Sequence, residues 1–302
     1  MTDPLGLLLV DKPGGLTSHD VVARTRRALG TKKVGHAGTL DPMATGLLVL
    51  GVGRATRLLT YLVGVDKEYR ATIRLGQSTL TDDAEGEVTS APGATRVEDS
   101  RLDEGLAALT GAILQVPSAV SAIKVDGKRS YARVRAGEEV DLPPRPVTVH
   151  SISRSAPRPS TAEDGTHVTD VDVVVACSSG TYVRALARDL GASLGVGGHL
   201  TALRRTRVGP FRVEDSHPLD SLTTAEPGVA ARLLLPLGPA CRALFPALEL
   251  DAGLARELRY GRGVPPAPGE GIWAAFDPEG AVIGLVENRG ERARPVLVLD
   301  PA

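Results

Sequence analysis

Aromatic residues are scarce in this 302-residue chain: one Trp, five Tyr and three Phe, 3% of the total. Its core must therefore be built from Val, Leu, Ile and Ala, and every Tyr is worth locating. Cysteine is scarcer still. Cys177 and Cys241 stand far apart, form no CxxC pair and cannot supply a disulfide framework, so a reducing, cytoplasmic setting is expected. No uninterrupted apolar stretch approaches the roughly 18 residues of a membrane span. The run Leu5–Val10 has no basic residue before it and meets Asp11 directly, so it reads as a buried strand, not a signal peptide.

The common catalytic signatures are also missing. There is no GxxxxGK[ST], no HExxH and no GxSxG, and GVGRAT at 51–56 lacks the third glycine of a dinucleotide fingerprint. Histidines 19, 36, 150, 167, 199 and 217 show no ligand spacing. The acidic TDDAEG lacks the alternating carboxylates and terminal Glu of a calcium loop. Neither a metal nor a cofactor is expected.

What is present is ordinary globular composition, 42% hydrophobic and 24% charged, at a length that suits about two domains. The formal net charge of −1 conceals a segregation. Residues 1–74 are net +5, residues 75–115 net −6 and residues 116–160 net +4. Two basic blocks separated by an acidic one suit a phosphate-facing surface, with the acidic 75–115 and C-terminal stretches facing mostly away.

Apolar periodicity predicts strands at Leu5–Val10, Leu47–Val52, Glu68–Leu75, Ser121–Val125, Val147–Ser153, His167–Cys177 and Arg207–Val213. Helices are predicted from Thr17-Ser18 to Leu29 and over Arg54–Val63, Ser100–Leu109, Lys128–Arg135 and Tyr182–Leu194. Gly76–Arg96 reads as surface loop, and Pro and Gly punctuation at 236–246 marks a boundary before a helix at Gly253–Tyr260 and strand-like pieces to 302. Helices and strands mix without a regular βα repeat, so the class is α+β.

One loop concentrates chemistry. Gly35-His36-Ala37-Gly38-Thr39-Leu40-Asp41-Pro42 sets a lone carboxylate in a glycine-hinged turn beside Lys32, Lys33 and His36. Two readings fit: an Asx-turn in which Asp41 bonds local backbone before Pro42, or an ionised carboxylate presented to a phosphate-bearing substrate.

The stretch GHAGTLDPMATGLL, with DKPGGLTSHD upstream, resembles the bacterial tRNA pseudouridine-55 synthases of the TruB family. The resemblance continues in order through KEYRATIRLG, QVPSAVSAIKVDGKRSYARVRAG, CSSGTYVRALARDLG and LTALRRTRVGPF, and spans about residues 5–215. It implies a pseudouridine synthase fold: a mixed, mostly antiparallel central sheet flanked by helices, with a small β-rich, PUA-like module at the C-terminus. The catalytic domain would occupy 1–245, with an RNA-clamping insertion at about 124–145, and the module 246–302.

The implied reaction breaks a uridine's N1–C1′ bond, turns the base and rejoins it through C5, at position 55 of the tRNA T-loop. It is redox-neutral and needs neither cofactor nor metal. Asp41 would be the essential carboxylate, attacking C1′, promoting a glycal by taking the 2′ proton, or adding to C6. Arg184 matches the Arg that pairs with it, and Tyr182 the Tyr beside the reacting base, a proton carrier at C5. Tyr69 would stack on the flipped base, Leu203 would wall the uracil pocket, and His36 would fill the space the base leaves. Lys12 would brace the catalytic loop.

Lys124, Lys128, Arg129, Arg133 and Arg135 of the insertion would contact phosphates of the T-arm, positioning the RNA without reading its sequence. The expected protein is a cytoplasmic monomer whose RNA affinity falls as salt rises. The alternative is a tRNA-folding chaperone in which catalysis is secondary. A related synthase of guided ribonucleoprotein particles shares the catalytic motif, but the insertion and the short C-terminal module favour the stand-alone enzyme. One departure stands out: members of the family often carry T-D-T where this chain has Thr79-Leu80-Thr81, so a polar contact from position 80 is expected to be lost.

Overall fold

The structure is a computed structural model that describes residues 4–118, 124–125, 128–129, 142–224 and 228–302. In chain order the elements begin with β1 (Gly6–Lys12), α1 (Ser18–Ala28), β2 (Val34–His36) and β3 (Thr45–Val52). A 3-10 turn (Gly53–Leu58) runs into α2 (Leu59–Val63), followed by β4 (Lys67–Leu75), β5 (Ser78–Thr79), β6 (Val88–Ser90), α3 (Asp99–Ala108) and β7 (Gly111–Gln115). Next come β8 (Lys124–Val125), β9 (Lys128–Arg129), β10 (Arg145–Arg154), β11 (Arg158–Thr161), β12 (His167–Cys177), α4 (Val183–Leu194) and β13 (Gly198–Val208). The remainder carries β14 (Phe211–Arg212), β15 (His217–Pro218), α5 (Leu219–Thr223), α6 (Val229–Arg232) and α7 (Leu237–Leu244). It ends with β16 (Ala247–Glu249), α8 (Ala252–Arg259), β17 (Ile272–Phe276), β18 (Val282–Arg289) and β19 (Arg292–Val298). This is the α+β class, with a mixed sheet.

Two compact units divide the chain. One joins Asp41–Gly46 to Gly64–Val208. Its antiparallel strands run in the order β13-β4-β12-β10-β7, and Thr45 and Gly46 pair in parallel with β13. Burial alternates along the central strand β4, with Lys67, Tyr69, Ala71, Ile73 and Leu75 inward, the period of two that a pleated strand imposes. Helix α4 buries Val183, Leu186, Ala187 and Leu190 and lies tight against β13. A Cβ on Gly198 would stand 2.4 Å from the Ala187 carbonyl oxygen, so only glycine permits that approach.

The other unit joins Met1–Leu40, Leu47–Val63 and Gly209–Ala302. Here β1 runs parallel to β15, and β2 antiparallel to β3. Thr17 caps α1 in a reciprocal box: its hydroxyl accepts from the Asp20 N–H, and the Asp20 carboxylate accepts from the Thr17 N–H. The sheet β16-β17-β18-β19 buries both faces. Phe276, Leu285 and Leu297 pack with Leu58 on one core, while Leu258, Ile283 and Val286 pack on another.

Four local readings are corrected. Residues 54–63 do not form one amphipathic helix, because a 3-10 turn occupies the first half. Lys128–Arg129 is strand, not helix; residues 130–135 lie outside the described residues. Gly76–Arg96 is not simply surface loop: it holds β5, β6 and buried Gln77, Thr79, Asp82 and Asp83. The strand expected at 207–213 is not one strand: Arg207 and Val208 end an 11-residue strand that starts at Gly198, and Phe211–Arg212 is a separate short strand. Bulges between Leu200 and Ala202 and between Arg205 and Arg207 interrupt the longer strand's alternation and hide it from periodicity.

Candidate active site

The loop that presents Asp41 is fixed from both ends. Ser18 accepts the Leu40 N–H at 2.9 Å and donates to the Leu40 carbonyl at 3.2 Å, immediately before the carboxylate. The Asp41 carbonyl then accepts the Ala44 N–H at 3.1 Å, closing a tight turn. At the far end Gly46 adopts φ +98° against β13, where a Cβ would meet the Arg205 carbonyl oxygen at 2.3 Å.

Arg184, in the first turn of α4, bridges two carboxylates. Its Nε lies 3.0 Å from Asp41 Oδ2 and its Nη1 3.3 Å from Asp83 Oδ2, and Nη1 also donates to the Thr81 carbonyl at 2.8 Å. Asp41 is 35% exposed, whereas Arg184 and Asp83 are 5% and 3% exposed. The arrangement therefore aims one reachable carboxylate outward from a sealed ion pair. Asp83 is held in turn: its Oδ1 accepts from the Thr81 hydroxyl and, at 3.0 Å, from the Glu85 N–H. The Thr79 hydroxyl donates to the Asp83 carbonyl at 2.8 Å.

The turn around these groups depends on Asp82, which takes φ 59°, a conformation Asp tolerates better than most residues. Its carbonyl accepts the Leu200 N–H at 3.1 Å and its carboxylate meets Arg188 at 3.2 Å. Burial pushes the Asp82 carboxyl up from its ordinary value, with Arg188 opposing. Glu85, which accepts the Met43 N–H, is also pushed up by burial and then by its neighbour Asp83.

Beside the carboxylates, β4 and its partners build an apolar wall. Tyr69 stands opposite Val175 on one side and Arg205 on the other, and Ala71 stands opposite Val173 and Leu203. Tyr69 and Leu203 are 8% and 7% exposed. Arg205, 1% exposed, hydrogen-bonds the Tyr69 phenol. Burial pushes that phenol up, which keeps it protonated, while Arg205 opposes the shift. Lys67 donates to the Val65 carbonyl at 2.7 Å and is pushed down to about 8, first by burial and then by Arg205.

The sequence-predicted residues divide accordingly. Asp41 and Arg184 meet, Tyr69 and Leu203 line one face of β4 and β13, and Tyr182 is the N-cap of α4. His36 and Lys12 belong to the other unit. The His36 ring meets His19 edge-on, with centroids 5.5 Å apart. Lys12 is fully buried and donates to the Pro13 and Leu16 carbonyls at 3.0 and 2.6 Å, stitching the turn ahead of α1. On the β8–β9 ribbon Lys124 stands opposite Arg129 and Val125 opposite Lys128. Arg133 and Arg135 lie outside the described residues.

Leu80 is 51% exposed, and the polar contacts of this turn come from Thr79, Thr81 and Asp83. One expectation is corrected: the acidic 75–115 stretch does not simply face away, since Asp83 supplies the buried partner of Arg184. Sequence reasoning also missed Arg205 as a partner of Tyr69; its signal was the run of basic residues in LTALRRTRVGPF.

Comparison with known proteins gives concordant results. A family model described as the N-terminal domain of TruB family pseudouridylate synthases matches residues 26–183. A C-terminal model of tRNA pseudouridine synthase II matches 245–300, and a C-terminal domain of tRNA pseudouridylate synthase B matches 184–239. The chain is 58% identical to a tRNA pseudouridine synthase B of Nocardia farcinica, covering 99% of this chain and 95% of that protein. It is 55% identical to that of Corynebacterium aurimucosum, covering 100% and 99%. A crystal structure of a Cbf5–Nop10–Gar1 complex superposes with a TM-score of 0.72 at 26% identity, over 99% of this chain and 86% of that one. Among the described residues no helix is long and apolar enough to cross a membrane.

Proposed function

Because the chain belongs to the TruB family of pseudouridylate synthases, we propose that its Asp41–Arg184–Asp83 constellation isomerises uridine 55 in the T-loop of tRNA. The observation that carries this reading is the half-exposed Asp41 carboxylate oriented by a guanidinium that a second, buried carboxylate fixes. Catalysis of this kind needs a reacting group whose position is set before substrate arrives. Asp41 serves each of the three routes the family chemistry allows: attack at C1′, removal of the 2′ proton, or addition at C6.

The surrounding residues supply the rest. Extracting a base from its stack costs a few kcal/mol. Stacking on an aromatic ring returns about 1–3 kcal/mol, and Tyr69, a buried neutral phenol beside Leu203, takes that part. Tyr182, at the start of α4, carries the proton at C5, and His36 fills the space the base leaves. Lys12 braces the loop by stitching the DKPGG turn. Lys124, Lys128, Arg129, Arg133 and Arg135 hold T-arm phosphates. Residues 1–245 form the catalytic part and 246–302 an accessory RNA-touching module, in a monomer working in the cytoplasm without cofactor or metal.

The test is to incubate the wild type and Asp41→Asn with one unmodified tRNA transcript and map pseudouridine by position. Conversion at position 55 by the wild type alone is expected. Retained conversion by Asp41→Asn, or none by the wild type, overturns the reading.

A further inference from the structure

Gln115 ends β7 and is 1% exposed. Its backbone stands opposite Arg145, the first residue of β10. Its side chain turns to a different element. The carboxamide oxygen accepts the Tyr182 N–H at 2.8 Å, and the carboxamide nitrogen donates to the Tyr182 carbonyl at 3.1 Å.

This reciprocal pair is what a neighbouring strand would offer, delivered instead by one side chain. Tyr182 needs it. As the N-cap of α4 it has extended dihedrals, and its own side chain makes no capping hydrogen bond. A helix start leaves N–H groups without intrahelical partners, and an unpaired buried amide is costly. Among side chains of this length only a carboxamide both donates and accepts in one plane. Asp and Glu when ionised cannot donate, and Leu can do neither.

The consequence reaches the reacting groups. Tyr182 is two residues before Arg184, whose Nε is 3.0 Å from Asp41. We propose that Gln115 is a positioning residue for the isomerisation: by clamping the Tyr182 backbone in both directions, it sets where Tyr182 and Arg184 stand relative to Asp41. It touches neither the substrate nor the reacting carboxylate, and it acts through Tyr182. The inference rests on the functional reading above, in which Asp41, Arg184 and Tyr182 make up one site.

The test compares Gln115→Leu, which loses both hydrogen bonds, with Gln115→Glu, which keeps the one accepted from the Tyr182 N–H. Misplacing a reacting group by about 1 Å costs on the order of 100-fold in rate. The expected result is therefore a kcat about 100-fold lower for Gln115→Leu and about ten-fold lower for Gln115→Glu, with KM for tRNA within about two-fold of wild type. Hydrogen exchange at the Tyr182 amide should quicken in Gln115→Leu, while exchange in β18, which belongs to the other unit, stays unchanged. An unchanged kcat in either folded variant overturns the proposal, as does a rate loss that only tracks the fraction of unfolded protein. Unaltered exchange at the Tyr182 amide overturns it too. That last readout needs no activity, so it separates failure of this inference from failure of the functional reading: a wild type that modifies no tRNA would defeat only the latter.

Discussion

Asp83 stands 3.3 Å from Arg184 Nη1, and the two side chains are 3% and 5% exposed. A charge pair so far from water is stable only as a pair, and removing one member leaves the other uncompensated, at about 3–5 kcal/mol. Arg184 keeps Asp41 and the Thr81 carbonyl, so the loss should fall at the low end. Asp83→Asn is expected to cost about 3 kcal/mol in urea unfolding. It should also lower kcat while leaving tRNA affinity within about two-fold, because Asp83 orients Arg184 and does not build the base wall. A loss of affinity with kcat intact would show that Asp83 serves RNA binding instead.

Gly46 allows the Asp41 loop to lie on β13. Its φ of +98° is outside what L side chains adopt comfortably, and a Cβ would come within 2.3 Å of the Arg205 carbonyl oxygen and 2.9 Å of its nitrogen. Both obstacles are backbone, which cannot step aside as a flexible side chain can. Gly46→Ala should therefore destabilise by at least about 2 kcal/mol and displace the loop. Displacement moves Asp41 away from Arg184, so turnover measured well below the melting temperature should fall more than Asp83→Asn does. Wild-type turnover in Gly46→Ala would mean that the loop does not set the carboxylate's position.

Lys67 makes stability depend on pH. Burial, with help from Arg205, lowers its folded value from 10.5 to about 8, so the buried ammonium opposes folding. Below pH 8 both states carry the proton and the opposition is present in full. Between about 8 and 10.5 the folded state sheds its proton while the unfolded chain keeps it, so stability rises with pH. Lys67→Met lacks the charge and should gain on the wild type at pH 7. That advantage should shrink by up to about 3 kcal/mol by pH 10.5. Urea unfolding of both proteins at pH 7 and pH 10 measures it; a gap independent of pH would mean that Lys67 titrates normally.

How much could be read beforehand follows from where each signal resides. β4 and β12 announce themselves because their buried positions are apolar and alternate, as in Ala71-Ile73-Leu75 and Val171-Val173-Val175. β13 does not, since His199, Arg205 and Thr206 are buried polar residues and two bulges reset its phase. Asp41 was legible because glycine hinges and a recognisable motif surround it. Asp83, Gln115 and Arg205 were not, because each is explained by a partner distant in sequence: Arg184, Tyr182 and Tyr69. A charged or amide side chain looks like surface until the fold reveals what it pairs with.

Leu80 tests whether that lesson holds in reverse. Leu offers no polar side-chain contact there, and the side chain is 51% exposed between Thr79 and Thr81, whose hydroxyls face Asp83. Only the Leu80 backbone has a structural duty, donating to the Glu87 carbonyl at 2.9 Å, and that bond does not depend on the side chain. Surface substitutions away from such features usually change stability by no more than about 0.5 kcal/mol. Leu80→Asp should therefore leave unfolding free energy within that margin and kcat within about two-fold. A ten-fold change in kcat in either direction would place residue 80 inside the network that orients Arg184.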